Sequence, residues 1–74
     1  MNFYTVLEIQ MLEGGTKATL ATAHDDYNEA LSKYYLVLSA AANNGIPYHA
    51  AYLIDSKRGV RKSEIFDRTV EDNG

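Results

Sequence analysis

Residues 25–45, DDYNEALSKYYLVLSAAANNG, decide the fold. Asp26 followed three residues later by Glu29 fits a capping box, and both aspartates suit the positive end of a helix dipole. Apolar side chains then recur at Tyr27, Ala30, Leu31, Tyr34, Leu38, Ala41 and Ala42, with Val37 widening the stripe. Spacings of three and four put these residues on one helical face. Asn43-Asn44-Gly45 supplies a C-terminal glycine signal, and Pro47 prevents continuation. The pattern predicts one helix over residues 26–43.

The segments on either side read as strands. Residues 3–12, FYTVLEIQML, are rich in β-branched and aromatic side chains and contain no breaker. Alternation sets Phe3, Thr5, Leu7, Ile9 and Met11 on one face and Tyr4, Val6, Glu8, Gln10 and Leu12 on the other, so both faces are partly apolar. Gly14-Gly15 supplies the positive φ values of a tight hairpin, and the threonine-containing stretch 16–24 follows as an antiparallel second strand. Beyond the helix, residues 48–55 (YHAAYLID) form a third strand, 56–59 a turn, and the stretch beginning at Val60 a fourth. Mixed polarity on both faces of that last strand marks an edge. The reading is an α+β domain of ββαββ order over residues 1–69, a four-stranded antiparallel sheet with one helix on one face, and a mobile acidic tail over 70–74.

Composition narrows the function classes. A chain of 74 residues makes one domain with a thin core, and such domains commonly draw on disulfides, metals or self-association. Cysteine is absent, which excludes a disulfide framework and thiolate metal sites. An apolar fraction of 46% and a charged fraction of 23% argue against disorder, and a net charge of −3 gives no global pull toward nucleic acid or anionic membrane. No apolar run approaches a membrane span, and the N-terminus, with Glu8 and Gln10, does not read as a signal peptide, so a cytoplasmic location is the expectation.

No constellation in the sequence defines catalytic, metal-binding or cofactor chemistry. His24-Asp25-Asp26 could serve a metal or acid–base site, but helix capping accounts for it. His49 belongs to no spacing motif and reads as a polar side chain on a half-buried strand. Lys57, Arg58, Arg61 and Lys62 gather four of the seven basic residues at one hairpin. Basic loops can grip phosphates, yet no aromatic interleaves with this cluster in sequence, and a solvated turn is the favoured reading.

What remains is surface. One helix covers one sheet face, and the other would carry either Phe3, Leu7 and Ile9 or Tyr4, Val6 and Leu12; an apolar patch of that kind marks an interface. Tyr35, adjacent to Tyr34 on the helix, cannot share its face and points to a partner or solvent. Tyr4, Val6, Leu12 and Tyr35 are the interface candidates.

Several segments resemble a group of short uncharacterised proteins encoded by phages, prophages and mobile elements of anaerobic gut-type bacteria. They are Phe3-Tyr4, Val6 and Glu8-Ile9-Gln10; Ser32-Lys33-Tyr34, Val37-Leu38 and Ala40-Ala41-Ala42; and Pro47, His49-Ala50-Ala51 and Leu53. The resemblance implies no activity, ligand site or cofactor. The chain departs from that group at residues 57–62, KRGVRK, where a neutral or acidic hairpin is expected. The leading expectation is a non-catalytic, homodimeric interaction module of a phage or mobile element that binds a protein partner. The runner-up binds or mimics nucleic acid through the basic hairpin or the acidic surface. A third, weakest expectation is an enzyme or metal site built on His24 and His49.

Overall fold

The computed structural model describes residues 1–69, so the expected mobile tail lies outside the described residues. Four strands and one helix follow the expected order: β1 Tyr4–Met11, β2 Lys17–His24, α1 Tyr27–Asn43, β3 Tyr48–Asp55 and β4 Gly59–Asp67. The strands form a single antiparallel sheet in the order β2-β1-β3-β4. Each hairpin supplies one half of the sheet, and β1 and β3 meet in the middle. The two glycines of the first hairpin take φ values of 89° and 91°, a region closed to most side chains.

Helix α1 begins as the sequence predicts. The Asp26 carboxylate accepts the Glu29 N–H at 3.0 Å, satisfying one of the orphan donors of the first turn. The helix ends differently from the glycine-signal reading. Asn44 leaves the helix in an extended conformation with φ −103° and ψ 171°, and Gly45 is not among the glycines with positive φ. The Asn44 backbone N–H donates to the Ala40 carbonyl at 3.0 Å, and side chains complete the C-terminus. Asn43 Nδ2 donates to the Ser39 carbonyl at 2.7 Å, and Arg68, just past β4, donates to the carbonyls of Ala41 at 2.8 Å and Ile46 at 3.0 Å. The segment just past β4 thus pins the end of α1.

The core lies between α1 and the even-numbered face of β1. Val6, Ala30, Tyr34, Val37, Ala51 and Leu53 are buried together, with Tyr4, Tyr27, Leu31 and Leu38 packed around them. The buried helical stripe is Ala30, Tyr34, Val37 and Ala41, so the expected stripe is rotated slightly: Leu38 sits half-buried at its flank and Ala42 is exposed. Tyr4 and Tyr27 meet edge to face with ring centroids 5.4 Å apart, joining the start of β1 to the start of α1.

In β4 the register slips opposite Leu53 and Ile54, where Lys62 pairs with Leu53, Val60 pairs with Ile54, and Arg61 is the extra residue. Such a bulge bends and twists an edge strand. Together with Arg61, Lys62, Glu64 and Asp67 it guards that edge against further pairing, as expected for a charged terminal strand.

Candidate functional site

The sheet has one covered and one open face, and the registers assign every strand residue to one of them. Val6, Ala51 and Leu53 lie under the helix, so the residues of opposite parity make up the open face. Four rows cross it from β2 to β4: Lys17, Met11, Tyr48 and Asp67; Thr19, Ile9, Ala50 and Ile65; Ala21, Leu7, Tyr52 and Ser63; Ala23, Thr5, Ile54 and Val60. Charge occurs only at two corners of the first row. Ile65 is 50% exposed and Val60 57% exposed, while Leu7, Ile9, Met11, Tyr52 and Ile54 are half-buried by one another without any layer above them. A shallow apolar depression of about 230 Å³ opens on this side between Ile9, Met11, Lys17 and Tyr48.

This geometry corrects two of the four interface candidates. Val6, 2% exposed, is a core residue, and Tyr4 packs on Tyr27 beneath the helix, so neither offers its side chain to a partner. Leu12 follows the last residue of β1 and is 38% exposed; Tyr35 is 51% exposed on the outer flank of α1. The alternative set, Phe3, Leu7 and Ile9, faces outward, joined by Tyr48, Tyr52 and Ile54 of β3. Alternation in YHAAYLID held that signal, but its other parity, His49, Ala51, Leu53 and Asp55, is equally able to form a core.

A buried polar cluster sits at the helix C-terminal end of the covered face. His49, 1% exposed, donates through Nε2–H to Glu8 Oε2 at 2.5 Å, and Gln10 Nε2 donates to the same oxygen at 3.0 Å. Asn44 fixes the tautomer. Its Oδ1 accepts the Ile46 N–H at 3.2 Å, which turns Nδ2 toward His49 Nδ1, also at 3.2 Å, so Nδ1 is the acceptor and Nε2 carries the hydrogen. A carboxylate, an imidazole and an amide in line are the parts of a proton-transfer site. Both ring nitrogens are engaged, however, and the ring is closed off from solvent, so no substrate reaches it. The cluster joins β1, β3 and the helix C-cap, a structural role that the sequence did not reveal because the four residues span positions 8 to 49.

The two histidines do not converge. His24 pairs across the sheet with Tyr4 and its Nε2 lies 2.9 Å from the Thr22 hydroxyl, whereas His49 pairs with Gln10, six residues further along β1 or about 20 Å away. Among the described residues no group of three or more His, Cys, Asp or Glu side chains could hold a metal ion.

The basic hairpin is partly neutralised. Arg61 reaches the buried Asp55 carboxylate at 3.3 Å and stands 6.0 Å from the centre of the Tyr27 ring. The Lys57 N–H donates to Asp55 Oδ1 at 2.9 Å, and this bond, with those of Arg58 and Arg61, holds the Asp55 carboxyl below its ordinary value against the opposing effect of burial. Arg61 and Lys62, brought together by the bulge, border an open recess with Tyr34, Tyr35, Leu38 and Glu64. Aromatic side chains do therefore stand beside the cations in space. Burial, followed by the nearby Glu64 carboxylate, pushes the Tyr34 hydroxyl above its ordinary value, so it stays a neutral phenol.

Among the described residues no helix is long and apolar enough to cross a membrane. No protein-family model, curated protein or solved structure matches the chain.

Proposed function

We propose that this chain is a non-catalytic interaction module that works as a homodimer, joined through the open face of its sheet. The observation that carries the reading is that face: Leu7, Ile9, Met11, Ala50, Tyr52, Ile54 and Ile65 adjoin one another with no helix above them. Four strands about 4.8 Å apart and eight residues long make a face of roughly 500 Å². The apolar residues fill the middle of that face, and contiguous apolar surface on this scale often serves binding.

A second copy suits the face because its charges are self-complementary. Lys17 on β2 and Asp67 on β4 stand at opposite corners of one row, each beside the central pair Met11 and Tyr48. A two-fold axis parallel to the strands brings β2 over the partner's β4 and sets Lys17 opposite Asp67 twice. The same operation sets Ile9 over Ala50, a large side chain against a small one, in the aligned packing typical of stacked sheets. The reading extends to a small adaptor of a phage or mobile element that also serves a protein partner.

Light scattering at micromolar concentration tests the dimer. The expected mass is at least twice the 8.2 kDa of one chain, falling on Leu7→Asp and on Lys17→Asp, with recovery in the Lys17→Asp/Asp67→Lys double variant. A wild-type chain that stays monomeric overturns the reading.

The nucleic-acid reading gains one observation, the juxtaposition of Tyr34 and Tyr35 with Arg61 and Lys62. It is weakened by Glu64 in the same recess and by the tie of Arg61 to Asp55. Single-strand binding at physiological salt that disappears when Lys57, Arg58, Arg61 and Lys62 become glutamine would place this reading first.

A further inference from the structure

The two edges of the sheet are built differently, and the difference identifies a second contact surface that does not depend on the open face. Edge β4 carries a bulge and four charged residues. Edge β2, KATLATAH, is eight residues long and pairs with β1 without a register shift, and its residues from Ala18 to Ala23 are uncharged. Unguarded edges of this length present a row of backbone groups to any strand that can pair with them.

The hydrogen-bond alternation shows which groups those are. Leu12 N–H donates to the Thr16 carbonyl at 2.7 Å, so the bonded pairs of the β1–β2 ladder are Gln10–Ala18, Glu8–Leu20 and Val6–Thr22. The Phe3 carbonyl accepts the Ser56 N–H at 2.9 Å, so the odd-numbered residues of β1 bond to β3, which leaves the even-numbered ones for β2. The N–H and C=O groups of Lys17, Thr19, Ala21 and Ala23 consequently point away from the sheet. Leu20, the one large apolar side chain of β2, lies on the helix side and is nevertheless 61% exposed, because α1 sits over β1 and β3. It borders a cavity of about 120 Å³ with Val6, Val37 and Lys33. One turn beyond Lys33 on the same flank of α1, Leu36 is 65% exposed.

We infer that β2 pairs antiparallel with β2 of a second copy about a two-fold axis perpendicular to the sheet, with Leu20 facing Leu20 at the axis. In that register Thr19 bonds to Ala21 and Lys17 to Ala23 of the other chain, so every outward group of β2 is used. No like charges are set opposite one another. The two Leu20 side chains meet as a non-hydrogen-bonded pair, the closest kind in an antiparallel ladder. Both helices lie on the same side of the continuous eight-stranded sheet, and the β2-side flank of each, with Leu36, turns toward the seam. This axis is at right angles to the one through the open face but does not cross it, since one passes outside β2 and the other over the middle of the sheet; the two contacts are compatible and together extend as an open array.

Single-cysteine variants test the pairing cleanly, since the chain has no cysteine. Leu20→Cys is expected to form a disulfide-linked dimer under mild oxidation on the order of a hundredfold faster than Val60→Cys on the guarded edge, as for thiols held at millimolar rather than micromolar effective concentration. Ala21→Pro removes an N–H that β1 does not use, so circular dichroism should be unchanged while, in a Leu7→Asp background that leaves only the edge contact, the mass by light scattering halves. Repeating the oxidation in the Leu7→Asp background separates the two contacts: persistent Leu20→Cys cross-linking supports an independent edge pairing, whatever becomes of the open-face dimer. Cross-linking no faster than Val60→Cys, loss of cross-linking with Leu7→Asp, or an unchanged mass for Ala21→Pro in a folded chain overturns it.

Discussion

Val6 and Leu7 are neighbours in β1 with nearly equal hydrophobicity and opposite fates. Val6 lies beneath α1 at 2% exposure, whereas Leu7 projects to the side that has no helix. Their strand context is the same, so neither propensity nor composition distinguishes them. What differs is the partner across the sheet face: Ala30, Tyr34 and Val37 stand over Val6, and a second chain is the proposed cover for Leu7.

The sharpest way to break this comparison is to charge each neighbour in turn. Val6→Asp places an unpaired carboxylate in the core beneath α1 and should cost about 4 kcal/mol or more, which unfolds so small a domain. Leu7→Asp should leave the fold intact and abolish the open-face contact. Circular dichroism and light scattering on both variants decide it; a folded Val6→Asp, or an unfolded Leu7→Asp, means the faces are reversed.

The covered face can then be graded. Leu53, fully buried on β3, should lose about 2–5 kcal/mol on truncation to alanine. Leu38, half-buried on the flank of α1, should lose less, about 1–2 kcal/mol, since its surroundings can relax and water already reaches it. Equal losses by chemical denaturation would show that Leu38 belongs to the centre of the stripe.

The polar end of the covered face should contribute a smaller amount. Glu8→Ala leaves the buried His49 Nε2–H without its acceptor and should cost about 1–3 kcal/mol. The Glu8→Gln variant, which keeps an acceptor oxygen, should recover part of that loss in the same denaturation assay.

Smallest is the acid dependence of Asp55. Its carboxyl is held below its ordinary value of 3.8, chiefly by the Lys57 N–H. A depressed folded value means the unfolded chain binds the proton first. The contribution is therefore complete above about pH 4 and lost as the pH falls through the lower folded value. Comparing wild type with Asp55→Asn, the stability difference should shrink below pH 4; a difference constant with pH would show that the hydrogen bonds do not favour the ionised form.

The helix and both hairpins were legible because their signals are local. Asp26 caps the donor three residues ahead of it, the apolar spacing of 27–42 fits one helical face, and Gly14-Gly15 permits only a turn. The helix limit at Asn43 was legible, but the glycine signal did not foretell how it is closed, because part of that closure is not local: Arg68 arrives from beyond β4, and Asn44 is held by His49. The His49–Glu8 pair was hidden for the same reason, since nothing in the spacing of residues 8 and 49 tells a paired imidazole from a half-exposed one.

The amino-acid sequence by itself determined the α+β order, the edge character of β4 and the existence of more apolar strand surface than one helix can cover. Alternation with period two fixes which residues share a face, and that is a property of each strand alone. Only the tertiary structure decided which face the helix takes, because both parities of β1 and β3 are apolar and the choice rests on register across strands and on the fit of Tyr34 and Val37 over Val6 and Leu53. Only the structure, too, put β2 on an edge. Its uncharged stretch from Ala18 to Ala23 would serve as well in the middle of a sheet, and its backbone groups became available when β1 took β3 as its second neighbour.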